Sequence, residues 1–227
     1  MTGQRKKPLW FRILLVGLLS VLALGLGYAV LSLSPQAPGL SVSIAENLEV
    51  SGVSNPVTAV LLNFRGYDTL LEMAVLLLAL LGVWSIGFVP ARQEGVPGPV
   101  LEMLSRLLVP LLIVIAGYLL WVGAQAPGGA FQAGSVVAAA GVLLFLSGWH
   151  PETIFSDLGL RLSLVLGLVV FIAVAVAMIL LGRQLLYYPV ANAGALILLI
   201  EAAATISIGV TLAALFLGRR PGKGVDK

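Results

Sequence analysis

The hydrophobic pattern of the chain consists of long apolar runs, separated by short polar segments that hold most of its charges. A helix of about 20 apolar residues is long enough to cross the hydrocarbon core of a bilayer. We predict spans for six runs, over residues 9–33, 67–89, 100–122, 130–148, 162–182 and 191–217. The pattern therefore predicts an all-α, polytopic membrane protein with about six transmembrane helices.

The segment before the second span does not fit a simple helical hairpin. Residues 34–55 are polar and are predicted to lie outside the membrane, with a short strand or surface helix over 40–50. Because residues 56–89 are too long for one straight span, we expect a short surface or partly embedded piece over 57–65 and a break at Gly66. The first run follows a basic segment, as in a signal peptide, but its length favours an uncleaved span.

Composition and charge agree with a membrane protein and indicate its orientation. The chain is 59% hydrophobic and 10% charged, with a mean hydropathy of +1.07, whereas soluble domains are nearer a quarter charged. With six spans, eleven of the 13 basic residues lie on one side, and Arg65 and Arg183 lie on the other. The positive-inside rule then predicts that both termini are cytoplasmic. The net charge of +3 indicates topology, with no affinity for nucleic acid.

The sequence lacks the residues that common enzymes require. It has no cysteine, so disulfides, thiolate metal sites and cysteine nucleophiles are excluded. The single histidine, His150, has no partners for metal or haem ligation. No phosphate-binding loop, dinucleotide motif or Ser/His/Asp set is visible. We therefore predict a protein that is not an enzyme and that binds no metal or cofactor.

Three charged residues, Arg65, Asp68 and Glu72, stand at the head of the second span. If the segment is helical, their spacing places them on one face. One hypothesis is helix capping, by a Thr69–Glu72 capping box or by Asp68, with Arg65 as an interfacial anchor. The other is a role in an ion pathway, because charges at the edge of a hydrocarbon layer need partners. The pattern leaves both open.

An acidic residue, Glu201, lies well inside the last span among alanine, leucine and isoleucine. A carboxyl group there either binds a neighbouring helix through a hydrogen bond or belongs to a proton or cation path. Neither hypothesis is excluded by the sequence.

The fourth span follows Pro127, Gly128 and Gly129, a triplet that disfavours helix and lets the backbone turn sharply. The span itself is rich in small residues. Gly134 and Gly141 are seven positions apart, so we expect one smooth face for close helix packing.

Residues 55–72 resemble a segment near the C-terminus of the large A subunit of Mrp-type cation/proton antiporters. The same segment occurs in the small E-type subunit of related membrane-bound hydrogenases. The family pattern is close to Arg-Gly-Phe-Asp-Thr-Leu-Gly-Glu. Two positions differ, with Tyr67 in place of Phe and Leu71 in place of Gly. The matching positions are Arg65, Gly66, Asp68, Thr69, Leu70 and Glu72.

Residues 100–218 resemble the Mrp B subunit, the MnhB-type domain. The resemblance rests on the Pro-Gly-Gly triplet before the small-residue helix and on Glu201, which stands where the family carries a membrane glutamate. Ala124 and Gln125 stand where the family usually has a His-Asn pair.

The two resemblances imply a fusion, with an A-subunit-like segment over 1–95 and an MnhB-like domain over 96–227. They imply an accessory subunit of a multi-subunit Mrp-like antiporter that exchanges Na⁺ for H⁺ across the cell inner membrane, with the other antiporter subunits and the lipid bilayer as partners. On this interpretation the ion route is lined or bordered by Asp68, Glu72 and Glu201, and Arg65 holds the acids ionised or gates them.

Two other interpretations stay open. In the first, the chain is a scaffold that holds an ion-translocating complex together and carries no ions. In the second, it belongs to a related redox-driven complex of the hydrogenase or complex-I type.

Overall fold

The computed structural model describes residues 9–33, 39–86, 98–149 and 157–218. Within these residues the regular structure is helical, and a 3-10 turn (Glu49–Ser51) and a π-helical turn (Val60–Phe64) accompany the α-helices. The α-helices are α1 (Leu9–Leu31), α2 (Ser41–Asn47), α3 (Pro56–Ala59), α4 (Gly66–Ile86), α5 (Pro99–Val122), α6 (Ala130–Leu146), α7 (Asp157–Leu180) and α8 (Ala193–Leu217). The all-α prediction is confirmed.

The predicted spans correspond to the six longest helices. Helices α1, α4, α5, α7 and α8 are long and apolar enough to cross a membrane. The predicted fourth span is α6, an apolar helix of 17 residues, which is at the short end of what a bilayer requires. The largest difference is at α7, which begins at Asp157 where the pattern predicted 162, because its first turn includes charged residues that an interfacial turn tolerates.

The cytoplasmic location of both termini stays a prediction. The basic ends of the chain, 1–8 and 219–227, lie outside the described residues, as do the loop with Arg92 and the one with His150.

The described residues form two compact units, one within 1–42 and one within 43–227. The first contains α1, a helix of 23 residues that is long enough to span a bilayer. The second contains α3 to α8 and every candidate site residue. The segment over 40–50, for which a strand or a surface helix was expected, forms α2 and the 3-10 turn.

Helix α8 is at the centre of the second unit and packs against α6 and α7. A Cβ atom added to Gly134 of α6 would lie 2.8 Å from Ile208 Cγ2, and one added to Gly141 would lie 3.7 Å from Ala213 Cβ. Both glycines therefore face α8, and the predicted smooth face of α6 is confirmed. Small residues matter here because close backbone packing, not the hydrophobic effect, drives helix association in lipid.

The contact between α7 and α8 combines the same close approach with a hydrogen bond. A Cβ atom added to Gly167 of α7 would lie 2.8 Å from the Ala204 Cα atom. The Ser207 hydroxyl of α8 donates to the Leu164 carbonyl of α7 at 2.5 Å. The central helix is therefore held on two sides, which fixes the position of its one acidic side chain.

The segment between α7 and α8 packs over the start of α4. Leu186 is buried with a φ of 59°, and a Cβ atom added to Gly66 would lie 3.3 Å from its Cδ1 atom. Gly66 is therefore a close-packing position as well as a break between helices. Burial raises the pKa of the nearby Tyr188 hydroxyl above its ordinary value.

Candidate functional site

The second unit encloses a cavity of about 130 Å³, which we call the Glu201 cavity. Its walls come from the segment 55–69, from the turn 127–132 and from α8, which contributes Glu201. The segment before α4 and the residues after α5 therefore meet at one place in the fold.

The first wall begins with a capped helical turn. The Asn55 Oδ1 atom accepts hydrogen bonds from the N–H groups of Val57 at 2.8 Å and Thr58 at 3.5 Å. Pro56 occupies the first helical position, where a missing N–H and a fixed φ are well tolerated. The Asn-Pro pair thus starts α3 at a fixed point beside the cavity.

The same wall continues through a widened helical turn. The π-helical turn Val60–Phe64 ends at Arg65, whose N–H donates to the first carbonyl of the turn at 2.7 Å. Helix α4 follows directly from Gly66, and the Thr69 hydroxyl donates back to the Leu61 carbonyl at 2.6 Å. Turns of this kind within helices occur frequently at functional sites. Here it brings the Thr69 side chain to the cavity.

The capping interpretation of Thr69 and Glu72 is wrong. Helix α4 begins at Gly66, so Thr69 lies one turn inside it and its hydroxyl bonds to a carbonyl instead of a free N–H. The Asp68 N–H donates to the Arg65 carbonyl at 2.9 Å. Because the π-helical turn leads into α4 through this single residue, backbone bonds satisfy the start of the helix.

The second wall is the turn after α5. The Gly129 N–H donates to the Leu119 carbonyl at 2.9 Å, so the chain folds back against the end of α5. A Cβ atom added to Gly128 would collide with that same carbonyl. Gly129 has φ 98° and ψ −170°, a combination that glycine alone adopts readily. Pro127 precedes this fold-back and lines the cavity.

Hydrogen bonds join the two walls. The N–H groups of Ser54 and Asn55 both donate to the Ala124 carbonyl at 3.0 Å, and the Thr58 hydroxyl donates to the Gly123 carbonyl at 2.5 Å. Ser54 and Ala124 also line an open groove of about 600 Å³. The joined segments therefore form part of the boundary of both the open groove and the Glu201 cavity.

Glu201 supplies the one ionisable side chain among the described residues that line the cavity. It is 3% exposed. Its carboxylate accepts a hydrogen bond from the backbone N–H of Ala130, at the start of α6. A Cβ atom added to Gly129 would lie 2.5 Å from the Glu201 Oε1 atom. The Oε2 atom is buried and has no hydrogen-bond partner among the described residues. The Glu201 side chain therefore contacts a neighbouring helix and also lines the cavity.

The charged residues of the segment 55–72, namely Arg65, Asp68 and Glu72, lie elsewhere. Arg65 and Asp68 form an ion pair whose side chains are 62% and 45% exposed. Glu72 is exposed on α4 and makes no ion pair with a described residue. Neither these two acids nor Arg65 line the Glu201 cavity. Within this chain, the structure thus brings Thr69 to Glu201 but leaves the charged members of the motif at the surface.

Three polar residues that line the cavity were not predicted as site residues: Asn55, Thr58 and Gln132. The Asn-Pro start of α3 is a recognisable helix-start signal, and it indicates an ordered turn before the π-helical segment. Nothing in the local pattern indicates that this turn lies beside residues 127–132.

Residues 100–218 match the family described as the domain related to the MnhB subunit of Na⁺/H⁺ antiporters. A comparison with curated protein sequences finds no match.

Two solved structures share the fold. A chain of the membrane-bound sulfane sulfur reductase, an archaeal respiratory membrane complex, has 22% identity and a TM-score of 0.65, over 92% of this chain and 98% of its own length. A chain of the Mrp complex from Dietzia sp. DQ12-45-1b has 19% identity and a TM-score of 0.65, over 99% of this chain and 28% of its own length. Because the family model covers more than half of the sequence, this chain belongs to the family of domains related to the MnhB subunit of Na⁺/H⁺ antiporters.

Proposed function

We propose that the chain is an accessory membrane subunit of a multi-subunit Mrp-like antiporter, which exchanges Na⁺ for H⁺, and that it helps to form the ion path. The observation that carries the proposal is the Glu201 cavity, where the A-subunit-like segment and the MnhB-like domain meet at a buried acid. An acid inside a membrane protein is costly and usually marks an ion or proton route.

The proposal includes a fusion of two kinds of subunit sequence, divided into 1–95 and 96–227. The Dietzia chain supports it, because the similarity covers 99% of this chain but only 28% of that one. A part of one longer polypeptide is therefore similar in fold to both segments together, which supports treating them as one unit.

Each acidic residue has its own role in this proposal. Glu201 holds the ion inside the chain, whereas Asp68 and Glu72 border the route at the surface where neighbouring subunits join. Arg65 binds Asp68 through their ion pair. The exposed position of Glu72 on α4 supports a neighbour there, since an unpaired acid facing lipid is costly. The chain would lie in the cell inner membrane with both termini on the cytoplasmic side.

A second candidate is a scaffold role in a related redox-driven complex. The archaeal respiratory complex favours it, because the similarity covers 98% of that complex's chain. In this role Glu201 would bind α6 to α8 and carry no ion. Amide substitutions would then impair assembly and leave turnover in assembled complexes unchanged.

The first experiment is purification of the tagged chain from its native membrane in mild detergent, followed by identification of the proteins that accompany it. We expect large antiporter-type membrane subunits and no subunits with metal centres. Subunits that carry iron–sulfur clusters would instead support the redox-driven complex. A chain that purifies alone as a homo-oligomer would contradict both candidates.

A further inference from the structure

The Glu201 cavity has features that indicate which ion it handles. We propose that it holds water, that this water exchanges a proton with the Glu201 carboxyl group, and that the cavity takes no alkali cation. The inference rests on the proposed function and names the ion that one of its sites would handle.

The cavity has the size and lining of a small water cluster. A water molecule occupies about 30 Å³ in the liquid and needs two to four polar partners. The cavity measures about 130 Å³, so its volume accommodates about four molecules. Polar side chains reach it from several sides, namely Asn55, Thr58, Thr69 and Gln132. Apolar residues complete the lining, but these polar groups support hydrated space, whereas a wholly apolar cavity of this size would be dry.

The lining side chains present acceptor oxygens to that space. The hydroxyl hydrogens of Thr58 and Thr69 are already donated to the carbonyls of Gly123 and Leu61. Each hydroxyl oxygen keeps lone pairs that accept a hydrogen bond from water. The Glu201 Oε2 atom is a further acceptor, buried and without a partner among the described residues. Leaving such an oxygen without a hydrogen bond is costly, and a rotation of the side chain toward the cavity water would relieve that cost.

The other side of the carboxyl group faces a hydrogen-bond donor. Its partner is the Ala130 N–H at the start of α6, and the N-terminal end of a helix carries about half a positive elementary charge. This end stabilises a carboxylate but repels a cation that approaches the same group. A hard cation is bound more weakly as the number of charged oxygen ligands falls, and among the described residues this cavity supplies one acidic side chain, Glu201, with uncharged oxygens around it. A proton, which bonds directly to one oxygen, needs no further charged ligand.

Among the described residues, no second charged side chain lines the cavity to hold a cation. The helices that pack against α8 carry ionisable side chains, but none of the described ones lines the cavity with Glu201. Those side chains are Tyr67, Asp68 and Glu72 on α4, Glu102, Arg106 and Tyr118 on α5, and Asp157 and Arg161 on α7. Within the described ranges, no group of three or more His, Asp or Glu side chains is placed to bind a metal ion.

Infrared difference spectroscopy on the purified full-length chain tests the proposal. Spectra would be recorded between acid and alkaline pH, in sodium chloride and in choline chloride of equal ionic strength. We expect a carboxyl C=O stretching band that titrates with the same midpoint in both salts. The band should be lost in Glu201→Gln and retained in the matched control Glu72→Gln.

Two results would overturn the proposal. A cation that competes with the proton would lower the titration midpoint by about one pH unit for each tenfold rise in sodium concentration. The second is a titrating spectrum that is identical in the wild type and Glu201→Gln. If Glu201→Gln does not accumulate, Glu201→Asp keeps a carboxyl group and should move the band without removing it.

The spectroscopic test is independent of the proposed accessory role. It needs no partner subunit, so a chain that purifies alone contradicts the accessory role and leaves the band assignment standing. Conversely, a midpoint that depends on sodium removes the proton-only site, while co-purification with antiporter subunits still supports the accessory role.

Discussion

The chain holds acids in two surroundings that differ in almost every physical respect. Glu201 is buried in the centre of the second unit, beside the positive end of α6 and at the edge of a cavity. Asp68 is half-exposed and paired with Arg65, and Glu72 is exposed on α4. Because Glu201 is buried, its energy depends strongly on each polar contact that it makes. Because Asp68 and Glu72 are exposed, their energies depend on what covers that surface.

The segment 55–72 is itself divided between the buried cavity and the exposed surface. Successive residues of an α-helix are rotated by about 100°, so Thr69 and Met73 lie on the buried face of α4 while Asp68 and Glu72 lie on the next face. On α4, the uncharged Thr69 therefore lines the cavity, whereas the charged Asp68 and Glu72 face outward. A motif that looks like one functional cluster in sequence thus serves two sites in the structure.

The largest expected difference between the two regions is in transport. In the assembled complex, Glu201→Gln should lower the rate of Na⁺-driven proton movement by about a hundredfold, which is typical of the loss of a positioned proton-transfer group. Glu72→Gln should have a smaller effect, because its carboxylate borders the route at the surface. The measurement is pH-dependent transport in inverted membrane vesicles, with the amount of assembled complex determined in parallel.

Normal transport by an assembled Glu201→Gln complex across the pH range would end the ion-path role of this residue and favour the scaffold. Loss of assembly with normal turnover in the remaining complexes would have the same meaning. Equal losses for both variants would remove the functional contrast between the buried and the exposed acids.

The second difference is in stability at the cavity wall. Gly129→Ala should lower the free energy of unfolding by about 1–3 kcal/mol, because its backbone conformation is nearly restricted to glycine. Its Cβ atom would also lie 2.5 Å from the Glu201 Oε1 atom. Gly141→Ala is the matched control, since its Cβ atom would make an ordinary contact at 3.7 Å. Unfolding in mixed detergent micelles compares the two, and equal stability would show that the turn is not tightly constrained.

The sequence predicted the membrane class and its long helices because each follows from a local pattern of apolar residues. The close packing of α6 on α8 was also predictable, because Gly134 and Gly141 recur on one face of a helix. Helix ends were less certain. Asp157 lies within α7 because an interfacial first turn accepts a charge that hydropathy alone places in a loop.

The Glu201 cavity was not predictable from local pattern. Asn55, Gln132 and Glu201 are far apart in sequence, and no periodicity relates them. The π-helical turn Val60–Phe64 is the other missing element, because its hydrogen-bond register has no residue signature. Without that turn, Thr69 is naturally interpreted as a helix cap. The acid itself was found from its chemistry, since charge in an apolar span is conspicuous.

A smaller effect is expected from the hydrogen bond that ties α4 to the π-helical turn. Thr69→Val keeps the shape of the side chain and removes its bond to the Leu61 carbonyl. Side-chain hydrogen bonds in membrane proteins contribute about 0.6 kcal/mol on average, so we expect a loss of that size in the free energy of unfolding.

Ser85→Ala on the same helix is the control for Thr69→Val. It also removes a hydroxyl bonded to a backbone carbonyl, but at an exposed position, and it should leave stability unchanged. A Thr69→Val protein as stable as Ser85→Ala would show that the cavity wall does not depend on this bond.

The smallest effect is expected in the charged cluster. Asp68→Asn removes the ion pair with Arg65, whose side chains are 62% and 45% exposed in the pair. Exposed pairs contribute about 0.2–1 kcal/mol and are weakened further by salt. We therefore expect a change in unfolding free energy of the isolated chain at the lower end of that range, and none at high salt. Glu102→Gln, which breaks the exposed pair with Arg106 on α5, should change the unfolding free energy by a similar amount.

If Asp68→Asn destabilised the isolated chain as much as Gly129→Ala does, the cluster would be a structural element of this chain, and the contrast with Glu201 would fail. If instead it destabilised only the assembled complex, the cost would arise at the surface that neighbouring subunits cover, as proposed for Asp68 and Glu72.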